Sequence, residues 1–98
     1  MSTVHLSGTI DHQTSPAARQ RLITELGRDD ALVIDMAGVT WVDSAGLAIL
    51  VEVYGAARRT GRTVHLANVG VGVMKKIRLA HLDRVFSLSA QTARPTLH

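Results

Sequence analysis

The chain has 98 residues, 46% of them hydrophobic, and a formal charge of +3 at neutral pH. That length allows one domain around one core, and the absence of cysteine excludes both a disulfide framework and a thiol site. The basic balance, 11 Lys and Arg against 8 Asp and Glu, is spread along the chain, and Trp41, Tyr54 and Phe86 are not interleaved with a basic patch. A nucleic-acid partner would need such an arrangement as a stacking platform. The opening MSTVHLSGTIDHQTS has neither a basic start nor a long apolar run and does not read as a secretory signal. The longest apolar run, residues 45–51, is far short of a bilayer span. A cytoplasmic domain without direct membrane insertion is expected.

In chain order, residues 4–10 read as a strand interrupted by Gly8. Ser15 is placed to cap a helix whose first position is Pro16. Ala18, Leu22 and Leu26 share one face of that helix, Ile23 lies beside them, and Gly27 stops it. Residues 32–36 form a near-continuous apolar run, the pattern of a strand covered on both faces. A turn at Ala37-Gly38 leads to a second short strand, residues 39–42. A helix begins at Ala45 and ends at Thr60-Gly61. Residues 63–69 form the next strand. Gly70 and Gly72 open a third helix with Val73, Ile77 and Ala80 on one face and Met74 adjoining. Residues 85–88 are a last short strand, and residues 89–98, with Pro95 and no periodicity, read as a loose tail. The basic clusters Arg58-Arg59-x-x-Arg62 and Lys75-Lys76-x-Arg78 fall at helix ends, where cations suit the dipole. Strands alternating with helices make an α/β domain with parallel pairs.

The residues that carry chemistry sit between the second strand region and the second helix, in Asp43-Ser44-Ala45-Gly46-Leu47. Asp and Ser both cap helices well, because their oxygens accept from the free N–H groups of the first turn, so either Asp43 or Ser44 caps this one. The same N–H groups and the helix dipole favour negative charge, so a phosphate is at home there. As a nucleophile Ser44 would need an adjacent base; only Asp43 is at hand and no G-x-S-x-G is present. Gly70-Val71-Gly72-Val73 is not followed by Gly-Lys-Ser/Thr, so there is no P-loop. The five histidines show no metal-ligand spacing; His5 and His65 read as half-buried strand residues. No catalytic residues, cofactor or metal are expected. If Ser44 is phosphorylated, another protein does it. The helix that follows carries Glu52 as its one charge between Gly46 and Tyr54, so part of its apolar surface is expected to meet a partner.

Three segments resemble the STAS domain, the family of sulfate-transporter tails and anti-sigma-factor antagonists. Leu6-Ser7-Gly8-Thr9-Ile10-Asp11-His12 is similar to the family's Leu-x-Gly-x-hydrophobic-Asp strand end. Val33-Ile34-Asp35-Met36 with Val42-Asp43-Ser44-Ala45-Gly46-Leu47 is similar to its core signature. Ile77-Arg78-Leu79-Ala80-His81-Leu82-Asp83-Arg84-Val85-Phe86 is similar to its last helix and strand. The resemblance covers residues 4–90 and implies a single small domain over residues 1–98, a mixed β-sheet packed with helices. Against the family pattern, a first N-terminal strand is missing, the C-terminal helix is shortened, and His81 stands where glycine often ends the third helix. The missing strand would leave an exposed sheet edge, open to self-association.

The resemblance further implies an anti-sigma factor antagonist. The unmodified domain would bind an anti-sigma factor that is itself a serine kinase, releasing the sigma factor and so regulating transcription. Phosphorylation of Ser44 would end the complex, and a serine phosphatase would restore it. Asp11, Asp43, Ser44, Ala45, Gly46 and Leu47 would form the contact, the two carboxylates orienting the hydroxyl and Gly46 keeping the approach clear. The alternative within the family is a STAS subunit of an ABC-type phospholipid transporter or of a stress-signalling assembly.

Overall fold

The computed structural model of the protein describes residues 1–91. Its elements are β1 (Ser2–Ile10), α1 (Ser15–Leu26), β2 (Ala31–Val42), α2 (Ser44–Arg59), β3 (Thr63–Val69), α3 (Val71–Leu79), a 3-10 turn (Leu82–Arg84) and β4 (Ser87–Ala90). The strands form a sheet in the order β1-β2-β3-β4. All three pairings are parallel, so the described sheet is parallel rather than mixed. Each crossover moves one strand in the same direction. Right-handed crossovers of that kind place every helix on one face.

Burial along the strands agrees. Val4, Leu6, Leu32, Ile34, Met36, Val64 and Leu66 are buried beneath the helices. Thr3, His5 and Ser7, on either side of the buried Val4 and Leu6 of β1, are exposed, and Asp35 and His65 are half-buried. The apolar run at residues 32–36 is therefore covered on one face only. Its polar member Asp35 lies on the other, accepting from Asn68 Nδ2 at 3.0 Å and meeting His5 Nδ1 at 2.7 Å. Those two bonds tie β1, β2 and β3 across the open face. The Asn68 amide is the largest cause that holds the Asp35 carboxyl below the usual carboxylate range; the Ala37 N–H and then His5 add to it.

The break at Ala37-Gly38 is not a turn. β2 runs on through it as one strand to Val42. The pairing with β1 shifts from His5↔Asp35 to Ser7↔Gly38, and again from Gly8↔Val39 to Thr9↔Trp41. β2 thus takes an extra residue at each place, and such bulges bend a strand and raise its twist. A Cβ on Gly38 would stand 3.0 Å from Ser7 Cβ, so the bulged backbone runs close against β1.

Helix ends differ in detail from the sequence reading. Thr14, not Ser15, occupies the cap position of α1, without a capping side-chain bond, and Ser15 is buried in the first turn. Gly27 follows α1 in a right-handed conformation, so its freedom to turn left-handed is not used there. Gly61, at φ +70°, does use it after α2, and His81 adopts the same region at φ +59° after α3. Ala80 is exposed rather than on the buried face of α3. Ser89 and Ala90 belong to β4 and not to a tail; the remainder of the expected tail, residues 92–98, lies outside the described residues. Tyr54 and Phe86 meet edge to face at 5.7 Å, fastening α2 to the segment that leads into β4.

Candidate functional site

The C-terminal ends of β1 and β2 and the start of α2 converge on one corner. Asp43 N–H donates to the Ile10 carbonyl at 3.2 Å, joining the end of β2 to the end of β1. Asp43 is extended, and its Oδ1 accepts from Gly46 N–H at 3.1 Å. Of the two candidate caps, Asp43 is therefore the one that caps. Ser44 is the first residue of α2 and is exposed. Capping by Asp43 leaves the Ser44 hydroxyl free of that structural duty at the mouth of the helix.

Gly46 faces inward. It is buried, and a Cβ there would come 2.5 Å from the Ile10 carbonyl oxygen and 2.8 Å from Val42 Cγ1. Its missing side chain lets α2 start directly against the strand ends. It does not keep an outer approach clear. Ala45 and Leu47 are half-buried, and Leu47 packs against the core.

Asp11 stands in the loop after β1, brought near by the Ile10–Asp43 bond. Its Oδ1 accepts from the Gln13 and Thr14 N–H groups at 2.9 and 3.0 Å. The Thr14 N–H is the largest of the causes that set its carboxyl below the ordinary range. The Asp11 carboxylate thus shapes the β1–α1 loop, as the Asp43 carboxylate caps α2. Among the described residues, neither is hydrogen-bonded to the Ser44 hydroxyl that both were expected to orient.

The structure adds residues to this corner that the sequence reading did not place there. A shallow depression holding Asp43, Ser44 and Leu47 is closed on its far side by Lys76, Leu79 and Ala80 of α3. Leu79 is 80% exposed and Trp41, near by on β2, is 51% exposed. Lys76 Nζ lies 3.7 Å from the Trp41 ring centroid. In the sequence Lys76 reads as one of several cations at a helix end. What brings Lys76 to the rim of the depression that holds Ser44, thirty-two residues away in sequence, is the packing of α3 on β2.

Among the described residues no cluster of His, Cys, Asp or Glu is arranged to hold a metal ion, and no helix is long and apolar enough to cross a membrane. Among the described residues no histidine lines the Ser44 depression.

A sequentially ordered β-α sheet with Asp-Ser-x-Gly-Leu at the start of its second helix defines a class, and the chain belongs to it: the STAS domain family, whose model matches residues 1–98. It is similar to the anti-sigma-B factor antagonist of Bacillus subtilis strain 168, 24% identical over 89 residues, covering 91% of this chain and 82% of that protein. Among solved structures it is similar to an anti-sigma factor antagonist from Mycobacterium paratuberculosis, 32% identical over 97% of this chain and 77% of that one, with a TM-score of 0.79. The Bacillus cell fate determinant SpoIIAA in its phosphorylated form shares the fold at a TM-score of 0.68 and 15% identity, covering 92% of this chain and 84% of that one.

Proposed function

We propose that the protein is an anti-sigma factor antagonist switched by phosphorylation of Ser44. Unmodified, it binds an anti-sigma factor with serine kinase activity and so frees a sigma factor. The kinase then phosphorylates Ser44 and the complex dissociates, until a serine phosphatase restores the binding form. Asp11, Asp43, Ser44, Ala45, Gly46 and Leu47 form the corner the partner meets, with Ser44 and Leu47 making the contact and Gly46 holding the corner together from inside. The domain works by binding and carries no catalytic step of its own.

The observation that carries this reading is the division of labour between neighbours: Asp43 takes the cap and Ser44 is left exposed beside it. A phosphoryl group adds about −1.5 to −2 charges. The fold accepts that charge at Ser44, because the first-turn N–H groups and the helix dipole favour an anion. A closed interface does not, because the phosphate must be desolvated against a surface shaped for a neutral hydroxyl. The relatives support the same reading, since anti-sigma factor antagonists recur among them and SpoIIAA is known in a phosphorylated form.

The test is to incubate the protein with ATP and the anti-sigma factor kinase of its own organism and map the modified peptide. Phosphate is expected on Ser44. Phosphate on Ser15 or Ser87 with Ser44 unmodified contradicts the reading.

A further inference from the structure

Lys76 stands between two adjoining depressions. One holds Asp43, Ser44 and Leu47; the other holds Trp41 and Gly72. Its ammonium rests over the Trp41 ring, 3.7 Å from the centroid, and among the described residues it is the one cationic residue that lines the Ser44 depression. Lys75, one position before it, and Arg78, two after, are turned by about 100° and 200° around α3 and are exposed. We propose that Lys76 is the counter-ion of the phosphorylated state: when Ser44 carries a phosphoryl group, Lys76 leaves Trp41 and pairs with it.

The electrostatics favour the exchange. In the unmodified protein the depression contains the Asp43 carboxylate, whose Oδ1 is held by Gly46 N–H. Phosphorylation adds a second and larger negative charge beside it. Among the described residues, Asp43 at the start of α2 and Lys76 of α3 are the charged groups that line the depression, so Lys76 is the group placed to relieve the repulsion. A charge-assisted bond to a phosphate is stronger than an exposed cation–π contact. The four-carbon stem of lysine lets the ammonium swing without moving the helix. The change also uncovers Trp41, and this is the only tryptophan in the chain, so its emission reports the event alone. The surface around this corner would then change in two places at once, at Ser44 and at Trp41.

The inference rests on the reading of Ser44 as phosphoacceptor, but its test needs no kinase. Phosphoserine is installed at position 44 during synthesis of the full chain, in the wild-type background and in Lys76→Met and Lys76→Arg. Phosphorus NMR then gives the second phosphate pKa, and Trp41 emission is compared with the unmodified proteins. The expected result is a phosphate pKa lower by roughly half a unit in wild type than in Lys76→Met, because a nearby cation favours the dianion. Lys76→Arg should retain the lowering. Trp41 emission should change on phosphorylation in wild type and not in Lys76→Met. A merely structural Lys76 would alter melting but not the phosphate pKa. Equal phosphate pKa values in wild type and Lys76→Met, or Trp41 emission indifferent to phosphoserine, overturn the proposal. Failure of a kinase to modify Ser44 would instead count against the phosphoacceptor reading and leave these measurements standing.

Discussion

At Ser44 and Gly46, two residues apart, the same short motif presents an exposed side chain and a buried close approach of backbone. Because Asp43 supplies the cap, Ser44→Ala should change stability by no more than about 0.5 kcal/mol, the range of an ordinary surface substitution. Ser44→Asp should be as stable, since an acid in the first turn suits the dipole. Thermal melts of the three proteins check this; a loss of a full cap's worth, about 1 kcal/mol or more, would show that Ser44 is structural. Gly46→Ala should behave in the opposite way. In an exposed helix the change would gain about 1 kcal/mol. Here the new methyl meets a backbone carbonyl that cannot swing aside, and overpacking of that kind costs about 1–3 kcal/mol. A urea titration should show the net loss, and an unchanged midpoint would mean that α2 can slide off the strand ends.

At the scale of elements, β2 is the one that the sequence misrepresented. The punctuation Ala37-Gly38 reads as a turn, and the apolar run before it as a doubly covered strand. Both errors have one origin. Gly in a strand marks either a turn or a bulge, and only pairing with β1 decides between them. Asp35, which breaks the apolar run, was the available sign that one face is open. Its partners His5 and Asn68 are thirty and thirty-three residues away, beyond the reach of local pattern. The cluster has a consequence for pH. Asp35 is held below its ordinary range in the folded state. The stability it contributes is therefore present above its unfolded pKa of about 4 and is lost as pH falls through its lower folded value. Asp35→Asn removes that contribution. Wild type should be the more stable near pH 7, and its advantage should shrink when urea midpoints are compared at about pH 2.5. An advantage independent of pH would assign the Asp35 effect to packing.

α2 was the second uncertain element, since its apolar surface left open how much is core and how much contact. The structure divides it residue by residue. Leu50, Val53 and Ala57 are buried, Leu47 is half-buried at the Ser44 depression, and Val51 is 40% exposed. Leu47→Glu should therefore lower the melting temperature yet leave a folded domain, because a half-buried carboxylate can reach water, and it should weaken partner binding at least tenfold by calorimetry. A protein that unfolds outright would place Leu47 in the core. Retained affinity in a folded protein would remove Leu47 from the contact.

Taken as a whole molecule, the alternation of strands and helices and the motif residues were legible from sequence, because periodicity and caps are local properties. Parallel pairing was legible from the same alternation, but the strand order β1-β2-β3-β4 and the placing of Lys76 of α3 at the Ser44 depression were not, because long-range packing decides them. By the same geometry the proposed switch would require little of the fold. The Ser44 corner lies at the ends of β1 and β2, outside the buried core of Leu22, Ile34, Leu66 and Ile77. Charge can change there without disturbing the packing that keeps a small domain marginally stable. The most direct test of the account is the affinity of the anti-sigma factor for this protein with and without phosphate on Ser44, measured by titration calorimetry. The account predicts binding by the unmodified protein and a loss of at least about tenfold, or about 1.4 kcal/mol, on phosphorylation, with both forms equally folded. Equal affinity of the two folded forms would contradict it.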